Sequence, residues 1–172
     1  MKFGMALVRT LLGGLMIGHG AQKLFGWFGG HGPEGTGQYF ESLGLRPGRR
    51  NALVAGAAEA GGGALLALGL MTPLGAAAVT GSMATAIATV HAPRGPWVTE
   101  GGWEYNAVVI AAAAAITEAG PGPLSLDAAR GREQWGAGWA LAELLAGGLG
   151  AAAALALGRQ PEATAEPAEP AA

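Results

Sequence analysis

The stretch that decides the fold is M-I-G-H-G-A-Q-K-L-F-G-W-F-G-G, which runs from Met16 to Gly30. It ends the first long apolar run and places His19, Gln22 and Lys23 where lipid-facing side chains would otherwise stand. Because an α-helix turns by about 100° per residue, these three side chains share one helix face. Ionisable groups inside a spanning helix are costly and indicate a functional site. The alternative for Lys23 alone is that it lies close enough to the helix end to extend into the headgroups.

The composition is that of an integral membrane protein. The 172 residues are 51% hydrophobic and 13% charged, whereas a soluble domain carries about 25% charged residues. The 32 glycines suit helices that approach closely in lipid, while a water-soluble core of such small residues would bury too little apolar area to be stable. We therefore expect a multi-pass protein of the cell (plasma) membrane, surrounded by the lipid bilayer.

Charge and residue usage exclude several classes of function. The net charge of −2 gives no electrostatic reason to expect nucleic-acid binding. The absence of cysteine rules out disulfides, thiolate metal ligands and thiol–disulfide relay chemistry by this chain. The histidines lack H-x-x-x-H or E-x-x-H spacing, so no metal site is predicted.

The apolar runs predict an all-α membrane protein: a four-helix bundle with an added fifth, C-terminal transmembrane helix. The fourth run is short for a span. The domain boundaries follow as a four-helix membrane unit at 1–128, an additional apolar helix at 129–158 and a disordered tail at 159–172 that is rich in Pro, Glu and Ala. The predicted helices are Met5–Phe25, Ala52–Met71, Pro73–Val90, Trp103–Ala119 and Trp135–Gly158, with a short interfacial helix at Gln38–Leu43.

Alternating helix directions assign the loops to two faces of the membrane. Face A is where the first helix begins, and face B is where it ends. Glu59 lies near the middle of the second predicted helix, on the same helix face as Gly56, Gly62 and Gly63. Its height is within a few Å of that of His19. We therefore expect His19 and Lys23 to cluster with Glu59 in a pocket that opens toward face B.

Other polar and aromatic side chains are expected on face B or in the loops. A hydroxyl stripe on the third helix more often bonds its own i−4 carbonyls than a ligand. The spacing of Gly14 and Gly18 fits a close helix contact. Ser125 could cap the segment that follows it, within a proline-locked turn that also holds Asp127. The further pocket candidates are Gln22, His91, Glu104, Tyr105 and Asn106, with Trp27 and Trp103 as aromatic walls, and the hydroxyl stripe is Ser82, Thr85 and Thr89.

Taken in order, five motifs resemble the DoxX family of small bacterial and archaeal membrane proteins. They are G-H-G-A-Q-K-L-F-G at Gly18–Gly26, A-E-A-G-G-G-A-L-L at Ala58–Leu66, L-G-L-M-T-P-L at Leu68–Leu74, G-G-W-E-Y-N at Gly101–Asn106 and G-P-G-P-L-S-L-D at Gly120–Asp127. The resemblance implies a four-helix membrane bundle, so the fifth run and the tail look like an extension. It also implies redox associations, because some relatives are subunits of a thiosulfate:quinone oxidoreductase and others belong to complexes that handle thiols and oxidative stress.

Three functions remain open at this point. The first is the membrane subunit of an oxidoreductase, with a quinone as cofactor and the polar cluster as its hydrogen-bonding pocket. The second is a non-enzymatic anchor or assembly partner for a soluble redox protein, in which buried pairs only fix helix packing. The third is a small-solute or proton pathway with Glu59 as the titrating group. The residues leave open whether the chain is catalytic and whether it forms a homo-oligomer.

Overall fold

The computed structural model describes residues 2–159 of the chain, so the predicted tail lies outside the described residues except for Arg159. The regular elements within that range are helical, which confirms the all-α class. They are α1 (Lys2–Phe25), α2 (Gly32–Ser42), α3 (Gly48–Leu68), α4 (Thr72–Ala86), α5 (Glu104–Ala119), α6 (Leu126–Ala129) and α7 (Ala137–Gly158), and a π-helical turn, Ile87–His91, extends α4.

Four segments are long and apolar enough to cross a membrane: Phe3–Phe25, Gly48–Leu68, Thr72–Arg94 and Ala137–Gly158. The last of them is α7, in agreement with the predicted additional transmembrane helix. By contrast, α5 has 16 residues and is about 24 Å long, so it is short for a span, as its sequence indicated. It packs against α4 and α7 and completes the bundle between them.

The bundle is built around α4, which packs against α3, α5 and α7, while α1 lies against α3. Its apolar core is small, with Met16, Leu66, Val79 and Ile116 among the fully buried side chains. Much of the remaining contact surface is glycine and alanine, which lets the backbones approach closely. Because the helices are so close, a polar side chain on one helix reaches the next helix directly.

The contact between α1 and α3 runs through Gly13 and Gly20. A Cβ atom at Gly20 would lie 2.5 Å from the Ala60 nitrogen, and one at Gly13 would lie 2.6 Å from the Ala67 nitrogen. The spacing of Gly14 and Gly18 predicted a close helix contact, but among the described residues a Cβ at either position would meet nothing within 4 Å. The buried stripe of α1 includes Gly13 and Gly20, and Gly14 is turned about 100° away from it.

On face A, Arg9 binds backbone carbonyls where α3 ends. Its guanidinium donates to the Pro121 oxygen at 3.0 Å, to the Leu66 oxygen at 3.4 Å, and to the oxygens of Ala67 and Leu124. Two of these carbonyls belong to the last turn of α3, where a positive charge is favourable because the helix dipole is negative there. Arg9 therefore joins α1 to the end of α3 and to the loop after α5.

On the same face, Asp127 accepts hydrogen bonds from the backbone at the beginning of α4. Its carboxylate accepts hydrogen bonds from the Met71 nitrogen at 2.8 Å, from the nitrogen and hydroxyl of Thr72 at 3.0 and 2.8 Å, and from Trp135 Nε1 at 3.1 Å. Ser125 accepts from the Ala128 nitrogen at 3.1 Å and so caps α6, as predicted. The loop that holds Ser125 and Asp127 therefore stabilises the turn between α3 and α4.

On face B, α2 and the end of α7 meet the beginning of α3. The Arg46 nitrogen donates to the Gly158 oxygen at 2.6 Å, and Leu45 and Arg159 form an isolated β-bridge. The α2 helix begins at Gly32, well before the predicted Gln38–Leu43 helix. The reason is that Pro33 and Glu34 are favourable residues for the first helical turn.

Candidate functional site

The polar centre of the bundle joins three helices through one carboxylate. The Lys23 ammonium on α1 lies 2.6 Å from Glu59 Oε2 on α3, and the Ser82 hydroxyl on α4 donates to Glu59 Oε1 at 2.8 Å. The Glu59 side chain is 5% exposed and that of Lys23 is 21% exposed. We call Lys23, Glu59 and Ser82 the ion-pair cluster. Both oxygens of the buried acid are therefore bonded, one of them to an opposite charge.

The glycine face of α3 explains why the pair can form. A Cβ at Gly56 would lie 2.8 Å from Leu24 and 3.2 Å from the Lys23 Cβ, so α1 passes directly over this turn of α3. Gly62 lies close to α4 in the same way, with the Gly75 oxygen 2.9 Å from where its Cβ would stand. Glu59 is between these two contacts in sequence, so its short side chain reaches groups on both neighbouring helices.

A surface recess of about 270 Å³ opens beside the cluster at face B. The turn after α1 forms one side of it. In that turn Phe28 adopts a left-handed backbone conformation (φ 53°), and its carbonyl accepts a hydrogen bond from Gln22 Nε2 at 3.2 Å. The recess is lined by Gln22, Lys23, Gly29, Gly30, His31 and Thr36. Lys23 therefore belongs to both the recess and the ion-pair cluster.

His19 lies on the α1 face that leads to this site but does not join the cluster. Its side chain is half-buried, and its ring makes no hydrogen bond to residues 2–159, whereas Lys23 and Ser82 both bond to Glu59. The structure thus brings together Lys23 and Glu59 from the predicted set and leaves His19 apart. Lys23 is one helical turn closer to face B, where α1 meets Gly56.

The remaining predicted pocket residues lie outside the recess, and three of them bond to other groups. His91 Nδ1 lies 2.6 Å from the Gly101 oxygen, Glu104 accepts from the Val98 nitrogen at 2.7 Å, and Asn106 Nδ2 donates to Met83 Sδ at 3.4 Å. These contacts fold the segment between α4 and α5 onto itself and against α4. The aromatic side chains Trp27, Trp103 and Tyr105 are exposed and do not line the recess.

The three hydroxyl groups of the α4 stripe have two kinds of hydrogen-bond acceptor, a backbone carbonyl or the Glu59 carboxylate. Thr85 and Thr89 each donate to the carbonyl four residues earlier, at 2.8 Å, as expected. Ser82 instead donates to Glu59. Thr80, which was not predicted from the sequence, donates to Glu143 of α7 at 3.1 Å. The available signal for that pair was a single acid that interrupts the fifth apolar run.

The cluster and the recess can together bind an acceptor and hold a proton near it. A lysine ammonium has three N–H donors, and Glu59 uses one of them. Lys23 lines the recess together with Gln22 and Thr36, whose side chains also carry N–H or O–H groups. A carbonyl or anionic group is therefore the kind of ligand that this recess would bind.

Fold and site define a multi-pass helical membrane protein with a buried ion pair beside a recess at one membrane surface. The sequence model of the DoxX family matches residues 4–92. Because that match covers half of the chain, the protein belongs to the DoxX family. The matched region runs from the first turn of α1 through α4 and hence includes the whole ion-pair cluster, whereas α5, Asp127 and α7 lie beyond it. No curated protein and no solved structure matches the chain.

Proposed function

We propose that this protein is the membrane subunit of a quinone-linked oxidoreductase and that the recess beside Lys23 receives the quinone headgroup. The observation that carries the proposal is the connection between a polar recess at the membrane surface and an ion pair buried inside the bundle. A headgroup that enters from the lipid would meet hydrogen-bond donors as soon as it reached this surface. This function requires a membrane that contains quinone, and we propose the plasma membrane as that location.

The size and chemistry of the recess support a single ring as the ligand. Its 270 Å³ is slightly below the range of about 300–1,000 Å³ for pockets that hold drug-sized ligands. A quinone presents two carbonyl oxygens, each of which needs a donor. The Gln22 amide, the Lys23 ammonium and the Thr36 hydroxyl line the recess and supply such donors.

Reduction of a quinone to a quinol needs two electrons and two protons, and this chain would contribute on the proton side. It has no cysteine, so we assign the electrons to a redox centre of a soluble partner protein. Lys23 brings N–H groups to the recess, and its ammonium lies 2.6 Å from the Glu59 carboxylate. The ion-pair cluster would thus bind and orient the oxidised headgroup and hold a proton next to its oxygen.

The direct test is the equilibrium binding of a short-chain ubiquinone analogue to the full chain in lipid nanodiscs. The variant Lys23→Met/Glu59→Leu replaces both charges with apolar groups, because removal of one charge alone would leave its partner unpaired. We expect its affinity to fall by about tenfold or more, since hydrogen bonds to charged groups contribute about 1.5–3 kcal/mol. Thr36→Val should weaken binding about fivefold through the loss of one neutral hydrogen bond.

Arg130→Met is the matched control, because Arg130 is an exposed cation on face A. Its affinity should equal that of the unchanged chain. Failure of the unchanged chain to bind the analogue would refute the proposal, and so would equal affinity in the double variant.

The second candidate function is a non-enzymatic anchor, and the linkage of α1, α3 and α4 by the ion-pair cluster favours it. A pair with a purely structural role can be replaced by well-packed apolar residues. An anchor would therefore keep its assembly with a soluble redox protein in Lys23→Met/Glu59→Leu. A quinone site would lose binding in the same variant, so one pair of substitutions separates the two functions.

A further inference from the structure

A second buried acid lies on the other side of α4. Glu143 of α7 is 2% exposed. The Thr80 hydroxyl donates to its Oε2 at 3.1 Å, whereas its Oε1 is buried and has no hydrogen-bond partner among the described residues. Glu143 is six residues into α7, about 9 Å from the helix start. It therefore stands inside the span and not at a membrane surface.

The helices packed against α7 bring no positive charge to this acid. These helices are α4, α5 and α3. Within its described range α4 has no charged residue, and the charges of α5 are the acids Glu104 and Glu118 at its two ends.

The charged residues of α3 have other partners and do not pair with Glu143. Glu59 is paired with Lys23, and Arg49 is paired with Glu34 at 2.8 Å. Arg50 donates to the Leu157 oxygen at 3.1 Å, which is fourteen residues and about 21 Å along α7 from Glu143. No described cation therefore compensates this carboxyl group.

The two buried acids, Glu59 and Glu143, differ in whether a positive charge lies beside them. Thr80 and Ser82 are two residues apart on α4, so their side chains point about 200° apart and hold one acid on each side of the helix. Glu59 has the Lys23 ammonium as a counter-charge, and Glu143 has only a hydroxyl. An ionised carboxylate without a counter-charge in an apolar interior costs far more free energy than the neutral acid.

We infer that Glu143 is a proton-binding site in the interior of the bundle, with Thr80 as its hydrogen-bond partner. The site is separate from the recess, and the inference does not rest on the proposed quinone function. Glu143 lies on α7, outside the DoxX match, and it was not among the candidate site residues of the sequence. The ligand of this site is an exchangeable proton, as in carboxyl groups that load and release protons within membranes.

The test is infrared difference spectroscopy of the full chain in lipid, because a protonated carboxyl group has a C=O stretch that an ionised carboxylate lacks. The difference between the unchanged chain and Glu143→Gln at pH 7 should show the loss of one carboxylic-acid band. Glu59→Gln is the matched control, and its difference should show the loss of carboxylate bands instead.

A second variant keeps the test decisive if Glu143→Gln does not fold. Thr80→Val removes the hydroxyl with little change of shape, so it should move the Glu143 acid band to the frequency of a carboxyl group without that hydrogen bond. Loss of carboxylate bands in Glu143→Gln would overturn the inference. An acid band that stays in place in Thr80→Val would overturn it too, because the band would then arise elsewhere.

Discussion

Single buried charges are satisfied in two different ways in this bundle. Lys23 and Glu59 satisfy each other, across 2.6 Å. Arg9 and Asp127 instead bond to groups at helix ends, Arg9 to carbonyls at the end of α3 and Asp127 to N–H groups at the beginning of α4, with the Thr72 hydroxyl and Trp135 as further donors to Asp127. The second arrangement places each charge at the helix end whose dipole favours it.

Asp127 gives a prediction about pH and stability. Burial raises the pKa of its carboxyl group, but the hydrogen bonds from Thr72, Met71 and Trp135 outweigh burial and leave that pKa below its ordinary value. A carboxylate with a lowered pKa stabilises the fold fully above its unfolded pKa, about 3.9, and this stabilisation is lost as the pH falls through the folded value. We expect Asp127→Asn to lower the melting temperature at pH 7, with a difference that shrinks below about pH 4.

Thermal unfolding of the full chain in detergent at several pH values would measure this difference. Glu34→Gln is the control, because Glu34 is an exposed acid in a surface ion pair with Arg49 and such pairs contribute little. A melting temperature for Asp127→Asn equal to that of the unchanged chain at pH 7, or a gap that widens in acid, would contradict the assigned role.

The same distinction explains how much of the site could be predicted. Glu59 and Lys23 are both ionisable residues inside apolar runs, so each gives a visible signal and their pairing follows from helix depth. The partners of Arg9 and several of those of Asp127 are backbone atoms, which every residue has, so nothing in the sequence identifies them. Thr80 was missed because its acid belongs to α7, and the way α7 packs cannot be read from one interrupted apolar run.

At the scale of elements, the contact between α1 and α3 makes a sharp prediction from two adjacent glycines. A Cβ at Gly13 would lie 2.6 Å from the Ala67 nitrogen, whereas a Cβ at Gly14 would meet nothing within 4 Å. We expect Gly13→Ala to destabilise the bundle by about 1–3 kcal/mol through overpacking. Gly14→Ala should be neutral or stabilise α1 by up to about 1 kcal/mol, since alanine favours helix.

Thermal or denaturant unfolding of the two variants in the same detergent would compare them. Equal effects would mean that α1 presents a different face to α3. Sequence alone could not identify the packed glycine. The G-x-x-x-G spacing indicates Gly14 and Gly18, whereas the packed face depends on which stripe of α1 is buried.

At the scale of the whole molecule, α1, α3, α4, α5 and α7 run alternately between the two faces. The end of α5 meets the beginning of α7 on face A, where the Gly136 nitrogen donates to the Glu118 oxygen at 3.2 Å, and α7 ends on face B beside Arg46. The starts and ends of these five helices are within about four residues of the predicted ones, since apolar length fixes them. The short α5 crosses the same bundle because α4 and α7 enclose it.

This path predicts the sidedness of three exposed positions, Gln38, Thr99 and Arg130. The chain has no cysteine of its own, so single cysteines can be introduced without a background. A membrane-impermeant maleimide should label Gln38→Cys and Thr99→Cys from one side of sealed vesicles and Arg130→Cys from the other. Labelling of all three from one side would contradict the arrangement.

The buried ion pair also constrains how the protein enters the membrane during synthesis. Lys23 and Glu59 are 36 residues apart in the sequence. Because a ribosome adds about 5–20 residues per second, Glu59 is synthesised about 2–7 s after Lys23. Lys23 is near the end of α1 and can reach the headgroups meanwhile, but Glu59 in mid-helix cannot. We therefore expect α1 and α3 to leave the translocon together as a hairpin, because Glu59 then enters the bilayer with its counter-charge beside it.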